Sequence, residues 1–143
     1  MLEFRENVLD KDTYLYLRKE VGWITLSDRQ AGQALSNALY TVCAYLDGKP
    51  VGMGRVVGDG AVVCYVQDLV VIPVAQGMHI GSEILDMLKR FVESLTEPGT
   101  RMMMCLMCAK GREDFYIKHG FMARPTDELG PGMICYINSS HLS

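Results

Sequence analysis

One short segment in the middle of the chain has the residue types of an anion-binding turn. Gln76-Gly77-Met78-His79-Ile80-Gly81-Ser82 follows an apolar run and opens a stretch with helical spacing. Gly77 and Gly81 have no side chain where a phosphate would approach the backbone, and Ser82 adds a hydroxyl. Because unpaired N–H groups and the helix dipole attract anions at a helix start, the segment predicts a diphosphate cradle. An ordinary glycine-containing turn with a helix cap is the alternative.

The residues on either side of this turn predict the elements that hold it. Residues 61–72 are apolar on both faces except at their centre, which is typical of an interior strand. Residues 80–95 place apolar side chains three and four positions apart, as an amphipathic helix does, and the all-apolar run 102–107 follows. Strand, helix and strand with short joints predict a β-α-β unit with parallel strands and a right-handed crossover. Ligands collect at the carboxyl ends of such strands.

The remaining chain predicts a strand, two helices and an antiparallel hairpin before this unit, and a helix and a strand after it. Ser27 and Gln30 have the form of a capping box, and Asp47-Gly48 favours a tight hairpin turn. The expected elements are a strand at 2–6, helices at 10–20 and 27–39, strands at 40–46 and 50–57, a helix at 111–118 and a closing strand at 132–138. No repeat or linker interrupts them, so one domain over residues 1–143 is expected.

Composition excludes several classes of function. The chain has 143 residues and a formal charge of -3, with lysine and arginine scattered rather than forming the basic stripe of a nucleic-acid-binding protein. No apolar run reaches the ~20 residues of a membrane span, and the first residues lack the plan of a signal peptide. We therefore expect a cytoplasmic protein with neither nucleic acid nor membrane as partner.

The five cysteines are interpreted as reduced core residues. Cys105-Leu106-Met107-Cys108 has the two-residue spacing of metal and redox motifs, but it lies in an extended apolar run without a second pair. Core packing is therefore favoured over a metal site, and no metal is expected.

Two motifs in order resemble the acetyl-coenzyme A signature of the GNAT superfamily of N-acetyltransferases. Val70-Val71-Ile72-Pro73 followed by the turn at 76–82 is similar to the family's (Gln/Arg)-x-x-Gly-x-(Gly/Ala) element, which follows a strand and opens a helix. Phe115-Tyr116-Ile117-Lys118-His119-Gly120-Phe121 is similar to its Phe-Tyr-x-x-x-Gly-Phe element. The resemblance spans roughly residues 40–138. It implies an α/β GNAT-like fold: a central, mostly antiparallel sheet of six or seven strands, a parallel β-α-β unit and about four helices.

The resemblance also implies an activity, transfer of an acetyl group from acetyl-coenzyme A to a primary amine by direct attack. Tyr116 would be the general acid that protonates the departing thiolate, and the backbone N–H of Val71 would meet the thioester oxygen as an oxyanion donor. The residues implied to bind the cofactor are Leu69, Val70, Val71, Gln76, Gly77, Met78, His79, Ile80, Gly81, Ser82 and Tyr116. A core aromatic on a short helix is the alternative for Tyr116.

The acceptor side is less defined. On an extended strand Tyr65, Gln67 and Leu69 share one face and Asp68 points to the other, so Asp68 is expected to be a structural hydrogen-bond acceptor. The resemblance places substrate contacts at Tyr65 and Gln67, neither of which is a good base at neutral pH. Deprotonation is therefore assigned to a water chain or to a carboxylate from another element. Trp23 lies between the first two helices in the sequence. It either lines the acceptor pocket or packs between those helices and holds them together.

Two positions depart from the family pattern. His79 stands where the family usually has glycine, and Ala109 stands where many members have an asparagine that binds the pantetheine arm. The competing hypothesis is thus a non-catalytic module that binds coenzyme A or a protein on the same fold. A nucleotide-dependent phosphotransferase is a weaker alternative, because no Lys-Ser or Lys-Thr follows the glycines. The expected partners are a small-molecule amine or a protein amine, and a homodimer is allowed.

Overall fold

The computed structural model describes residues 1–139. The chain divides into two compact units, Met1–Leu106 and a second unit that begins at Met107. Within the described residues, the strands lie in the first unit, together with three of the four α-helices. The expectation of one domain over residues 1–143 stays a prediction.

The first unit is built on one sheet whose strands lie side by side in chain order. The strands are β1 Leu2–Glu6, β2 Tyr40–Leu46, β3 Lys49–Gly58, β4 Val63–Val71 and β5 Met103–Cys105. Neighbouring strands are antiparallel except β4 and β5, which are parallel. The α/β class and the parallel strand pair are therefore confirmed. The sheet has five strands within residues 1–139, slightly fewer than the six or seven expected.

The closing strand expected at 132–138 is wrong. These residues have no regular secondary structure, and Met133, Ile134, Tyr136 and Ile137 are all exposed. Their apolar character indicates a strand, but a strand is stable only when its backbone groups pair with a neighbour. Such pairing depends on distant parts of the chain, which the local pattern does not reveal.

The helices follow the predicted pattern with shorter ends. They are α1 Lys11–Glu20, α2 Asp28–Ser36, α3 Ile80–Leu95 and α4 Glu113–Lys118. The side chain of Asp10 caps α1, and the predicted capping box between Ser27 and Gln30 is present. Helix α2 ends before the expected Leu39 because the N–H of Leu39 already donates to the carbonyl of Val56, 2.8 Å away in β3.

Two turns fix the ends of the central strands. Asp47 and Gly48 both have positive φ, 51° and 81°, as the predicted tight hairpin requires. The carboxylate of Asp59 accepts from the N–H groups of Ala61, Val62 and Val63 at 2.8–3.0 Å. These bonds hold residues 59–62 as a loop, so β4 starts two residues later than predicted.

Helix α3 packs on one face of the sheet through its buried residues, which include Ile80, Ile84 and Leu88. Glycines in β3 permit the close approach, since a Cβ at Gly54 would lie 2.8 Å from Cγ2 of Ile84. Helix α1 packs on the strands through Tyr14 and Leu17, both buried. None of the helices within residues 1–139 has the length and apolar character needed to cross a membrane.

Candidate active site

The joint between β4 and α3 is an exposed turn that leads into a helix, as the sequence predicts. Pro73–Ala75 form a short 3-10 helix, and the next four residues are an exposed turn that enters α3 at Ile80. The N–H of Glu83 is the first to bond within the helix, to the carbonyl of His79 at 3.1 Å. The N–H groups of the preceding turn of the helix, residues 80–82, have no intrahelical acceptor. Donors for an anion are therefore concentrated at this joint.

His79, at the position where the family usually has glycine, adopts a backbone conformation that favours glycine. Its φ and ψ are 62° and 20°, in the left-handed region, and it is the N-cap residue of α3. Gly77 also has positive φ, and a Cβ added to it would meet nothing within 4 Å. The departure at His79 thus leaves the turn geometry intact and adds an exposed imidazole beside the helix start.

The carboxyl half of β4 has a free edge within the first unit. Strand β5 pairs only with Val63–Tyr65, so residues 66–71 have no strand partner on that side among residues 1–106. The N–H of Ile72 donates to Val51 of β3 at 2.9 Å. Because successive N–H groups in a strand alternate in direction, the N–H of Val71 points away from β3, toward the free edge. An extended amide group could pair there as an added strand would.

Gln76 links the turn to the strand. Its side-chain amide nitrogen donates to the carbonyl of Val71 at 3.0 Å. The bond joins two residues that the sequence assigns to cofactor binding, and it fixes the start of the turn relative to the end of β4. Gln76 therefore positions the joint through its amide nitrogen.

A bulge changes which side chains share a face of β4. The register passes from Met53↔Val70 to Arg55↔Gln67, so Asp68 and Leu69 together oppose Gly54, and Asp68 has φ 60°. Such a bulge shifts the alternation of side chains by one residue. The sequence prediction that Asp68 points away from Gln67 is therefore wrong.

Contacts on the two sides of the sheet show the result of the bulge. The amide of Gln67 lies 3.3 Å from the carboxylate of Asp68, on the side of α1. Leu69 lies with α3, because a Cβ at Gly54 would contact both Leu69 and Leu88. The side chains of Leu69 and Gln67 thus lie on opposite faces of the sheet. Strict alternation along the strand would have placed them on the same face.

Asp68 is a buried structural acceptor, as expected. Its carboxylate accepts from the hydroxyl of Tyr14 at 2.5 Å, from Nη1 of Arg18 at 2.8 Å and from Nε of Arg55 at 2.8 Å. Burial raises the pKa of the Tyr14 phenol, and its hydrogen bond to Asp68 acts in the same direction, so Tyr14 remains a neutral donor. The guanidinium of Arg18 also lies 5.2 Å from the ring of Trp23.

Sequence reasoning missed Tyr14, Arg18 and Arg55. The available signal was charge in apolar surroundings, since Arg55 interrupts the apolar run of β3 and Asp68 interrupts that of β4. Two lone, opposite charges in adjacent strands indicate a pair. Of the predicted substrate residues, Trp23 and Gln67 contact this cluster, while Tyr65 is a half-buried residue opposite Val57 of β3.

The second unit contains the other predicted catalytic residue. Tyr116 lies on α4, half-buried, with its ring 5.1 Å from Phe115 and 5.8 Å from Phe121. Burial raises the pKa of its phenol; the nearby Cys108 thiol acts in the same direction, and Arg112 opposes it. The phenol holds its proton at neutral pH, as a general acid must before it reacts, and the raised pKa makes it a weaker acid than a free phenol.

Two cysteines are not in the core. Cys43 and Cys64 are buried and Cys105 is half-buried, but Cys108 and Cys135 are exposed, contrary to the prediction for all five. Cys108 follows the end of β5 in the turn before α4, and Cys135 lies in the irregular segment at 131–139. Ala109, where the resemblance expects asparagine, is in the same turn, and its carbonyl accepts from the N–H of Arg112 at 3.0 Å.

These residues fit the diphosphate and amide chemistry of coenzyme A. The turn at 76–82 offers backbone donors, and the free edge of β4 offers groups for a pantetheine arm. Within residues 1–139, no three His, Cys, Asp or Glu side chains gather as a metal site would need.

Comparison with known proteins identifies the family. The sequence model of the acetyltransferase (GNAT) domain family matches residues 36–123. This match covers more than half of the chain and includes both motifs. The chain therefore belongs to the GNAT acetyltransferases and is an acyltransferase. No curated protein sequence matches it significantly.

Solved structures share the fold. A Staphylococcus aureus protein described as a probable acetyltransferase is 28% identical, with a TM-score of 0.83 over 96% of this chain and 100% of that one. A GNAT-family acetyltransferase from Streptococcus pneumoniae is also 28% identical, with a TM-score of 0.80 over 96% of this chain and 98% of that one. Glucosamine-6-phosphate N-acetyltransferase from Arabidopsis thaliana, at 15% identity, has a TM-score of 0.71 over 96% and 99% of the two chains.

Proposed function

We propose that this acetyltransferase uses acetyl-coenzyme A as co-substrate and acetylates a primary amine by direct attack. The observation that carries the proposal is the β4–α3 joint. There a turn with two left-handed residues precedes the first N–H groups of α3, which have no intrahelical acceptor, and the adjoining half of β4 has no strand partner on one side among residues 1–106. Bound acetyl-coenzyme A would supply an acyl group activated as a thioester.

Each part of the joint has a role in holding that group. The N–H groups of residues 77–82 would bind the diphosphate, with the imidazole of His79 beside it. The backbone of Leu69 and Val71 would pair with the amides of the pantetheine arm. Gln76 keeps the turn against the end of the strand through its bond to Val71.

The transfer itself needs charge stabilisation and one proton donor. The N–H of Val71 would stabilise negative charge that develops on the acyl oxygen. The amine nitrogen forms a bond to the acyl carbon as the carbon–sulfur bond breaks, and Tyr116 gives its proton to the sulfur. The amine nitrogen loses one proton to a water chain or to a carboxylate from another element, and one proton returns from solvent to the Tyr116 oxygen, so the products are an amide and a free thiol. The role of Tyr116 is supported by its motif, which lies within the matched region.

The competing function is a module that binds coenzyme A without chemistry. A decayed site would be expected at His79, but this residue keeps the left-handed conformation of the turn. Incubation of the purified protein with acetyl-coenzyme A and a panel of primary amines distinguishes the two. We expect amine-dependent release of free thiol, matched by an acetylated product in the mass spectrum. Thiol release at the level of the no-amine control across the panel would leave only the binding module.

A further inference from the structure

The buried cluster around Asp68 carries one positive charge more than its acidic partner balances. Two guanidinium groups, those of Arg18 and Arg55, share the single carboxylate of Asp68. Their side chains are each 10% exposed, and that of Asp68 is 0% exposed. In the described part of the chain no other carboxylate lies within salt-bridge distance of either arginine. Burial of an unbalanced charge is unfavourable, so the cluster is suited to a monoanion.

The arginine that lacks a full set of partners is Arg18. Its Nη1 donates to Asp68 at 2.8 Å, and its Nη2 donates to the carbonyl of Ile24 at a longer 3.2 Å. Its Nε is buried and has no hydrogen-bond partner within residues 1–139. Nε and Nη2 form the edge of the guanidinium that a carboxylate grips with two parallel hydrogen bonds. This edge can donate two short hydrogen bonds to a carboxylate. Here it donates only the 3.2 Å bond from Nη2 to Ile24.

The same edge faces the region that the sequence assigns to the acceptor. Ile24 belongs to the connection between α1 and α2, and its side chain is 77% exposed. Trp23, in the same connection, lies over the guanidinium of Arg18. On the strand side, Gln67 contacts Asp68. Two of the three predicted substrate residues thus border the cluster.

We propose that the Nε–Nη2 edge of Arg18 binds a carboxylate of the acceptor, so that the substrate is an amine that also bears a carboxylate. This inference rests on the proposed acetyl transfer. The ligand oxygens take the place of the Ile24 carbonyl and satisfy Nε. Trp23 covers the guanidinium, and the excess charge of the cluster is balanced by one carboxylate. A carboxylate suits the site better than a phosphate dianion because the excess is a single charge.

Matched acceptors test the preference. β-Alanine, γ-aminobutyrate and ε-aminocaproate are compared with their carboxamides, which keep the amine and the length but lose the charge. We expect kcat/KM to be about 10- to 100-fold higher for the best carboxylate than for its carboxamide, the range for hydrogen bonds to a charged group. Equal values throughout the series, or preference for a diamine or for phosphoethanolamine, would overturn the inference while leaving acetyl transfer established.

The single tryptophan provides a second readout that does not depend on turnover. Because Trp23 lies against Arg18, its emission should change saturably when a carboxylate of this series is added without acetyl-coenzyme A, and not when the carboxamide is added. Arg18→Lys keeps the charge but loses the two-donor edge, so it should abolish the response. Arg29→Lys, at an exposed position in α2, is the matched control and should preserve it.

The outcomes separate the two proposals. A carboxylate-specific response without thiol release from any amine would support the carboxylate site and remove the transferase mechanism. The same response to carboxylate and carboxamide in the wild-type protein would overturn the site even if Arg18→Lys failed to fold. A response that persisted in a folded Arg18→Lys protein would overturn it as well.

Discussion

Asp68 shows how the surroundings of a single carboxylate can give it a structural role. It accepts bonds from a phenol, two guanidinium groups and a nearby amide, all within the first unit. With these donors around it, its oxygens hold helix α1 against strands β3 and β4. In the proposed acetyl transfer, we therefore expect the base to be a water chain or another carboxylate.

Removal of the charge at position 68 should destabilise the protein strongly. Asp68→Asn leaves Arg18 and Arg55 buried without an anionic partner, and loss of one partner of a buried pair costs about 3–5 kcal/mol. Urea denaturation of wild type and variant measures the free energy of unfolding. Glu3→Gln, which breaks an exposed pair with Arg5, is the control and should leave it nearly unchanged. An equally small effect of Asp68→Asn would show that the cluster contributes little to the fold.

Substitution of Tyr116 should lower the turnover number and have little effect on the binding of coenzyme A. Tyr116→Phe removes the proton donor but keeps the ring that packs against Phe115 and Phe121. We expect kcat to fall about 100-fold or more, the usual contribution of general acid catalysis, while the affinity for coenzyme A stays nearly intact. Steady-state kinetics and calorimetry give the two values. Equal turnover of the two proteins would remove Tyr116 from the mechanism.

At the level of elements, the close contact between β3 and α3 depends on glycine. A Cβ at Gly54 would lie 2.8 Å from Ile84 and 3.1 Å from Leu88, in a core where added atoms cost about 1–3 kcal/mol. Gly54→Ala should lower the free energy of unfolding by that amount. Gly32→Ala, inside α2 with nothing within 4 Å of the added Cβ, should instead be neutral or stabilising by up to about 1 kcal/mol. Similar effects at both positions would contradict the packing at Gly54.

The start of α3 is tested by adding a charge to it. Gly81→Glu places a carboxylate among the donors proposed to hold the diphosphate, so it should abolish measurable binding of coenzyme A in a calorimetric titration. Gly32→Glu adds the same charge in α2 and is the control for net charge. Unchanged affinity in the Gly81→Glu protein would place the diphosphate elsewhere.

The elements that the sequence predicted well are those set by local patterns. Helical spacing predicted α3, the capping box predicted the start of α2, and Asp47 and Gly48 predicted the hairpin turn. The bulge at Asp68 escaped prediction because it depends on the register between β3 and β4. The absence of regular structure at 132–138 escaped it for a similar reason, since apolar residues become a strand only beside a partner.

The candidate site was predicted unevenly for the same physical reason. The turn at 76–82 is one contiguous segment, so its glycines and its place before a helix were visible in the sequence. The Asp68 cluster joins residues from α1, β3 and β4 that are up to 54 positions apart. The sequence predicted Asp68 as a structural acceptor, but neither its partners Tyr14, Arg18 and Arg55 nor the unpaired Nε of Arg18 could be read from spacing along the chain.

For the whole molecule, family membership and the β4–α3 joint support each other. The matched model spans residues 36–123 and so includes the joint and the Tyr116 motif. Specificity is expected outside the shared signature, and Tyr14, Arg18 and Trp23 precede the matched region. The shared fold thus supports the proposed acetyl transfer, and the cluster supports the proposed preference for an amine that also bears a carboxylate.

The most direct test of the central claim is to measure how much of the affinity for coenzyme A comes from its diphosphate end. Calorimetric titration of the wild-type protein with coenzyme A and with pantetheine, which lacks the diphosphate and the nucleoside, gives this difference. If the N–H groups of residues 77–82 hold the diphosphate, coenzyme A should bind at least about 100-fold more tightly, as charge-assisted hydrogen bonds of about 1.5–3 kcal/mol predict. Equal affinity for the two compounds would contradict the account.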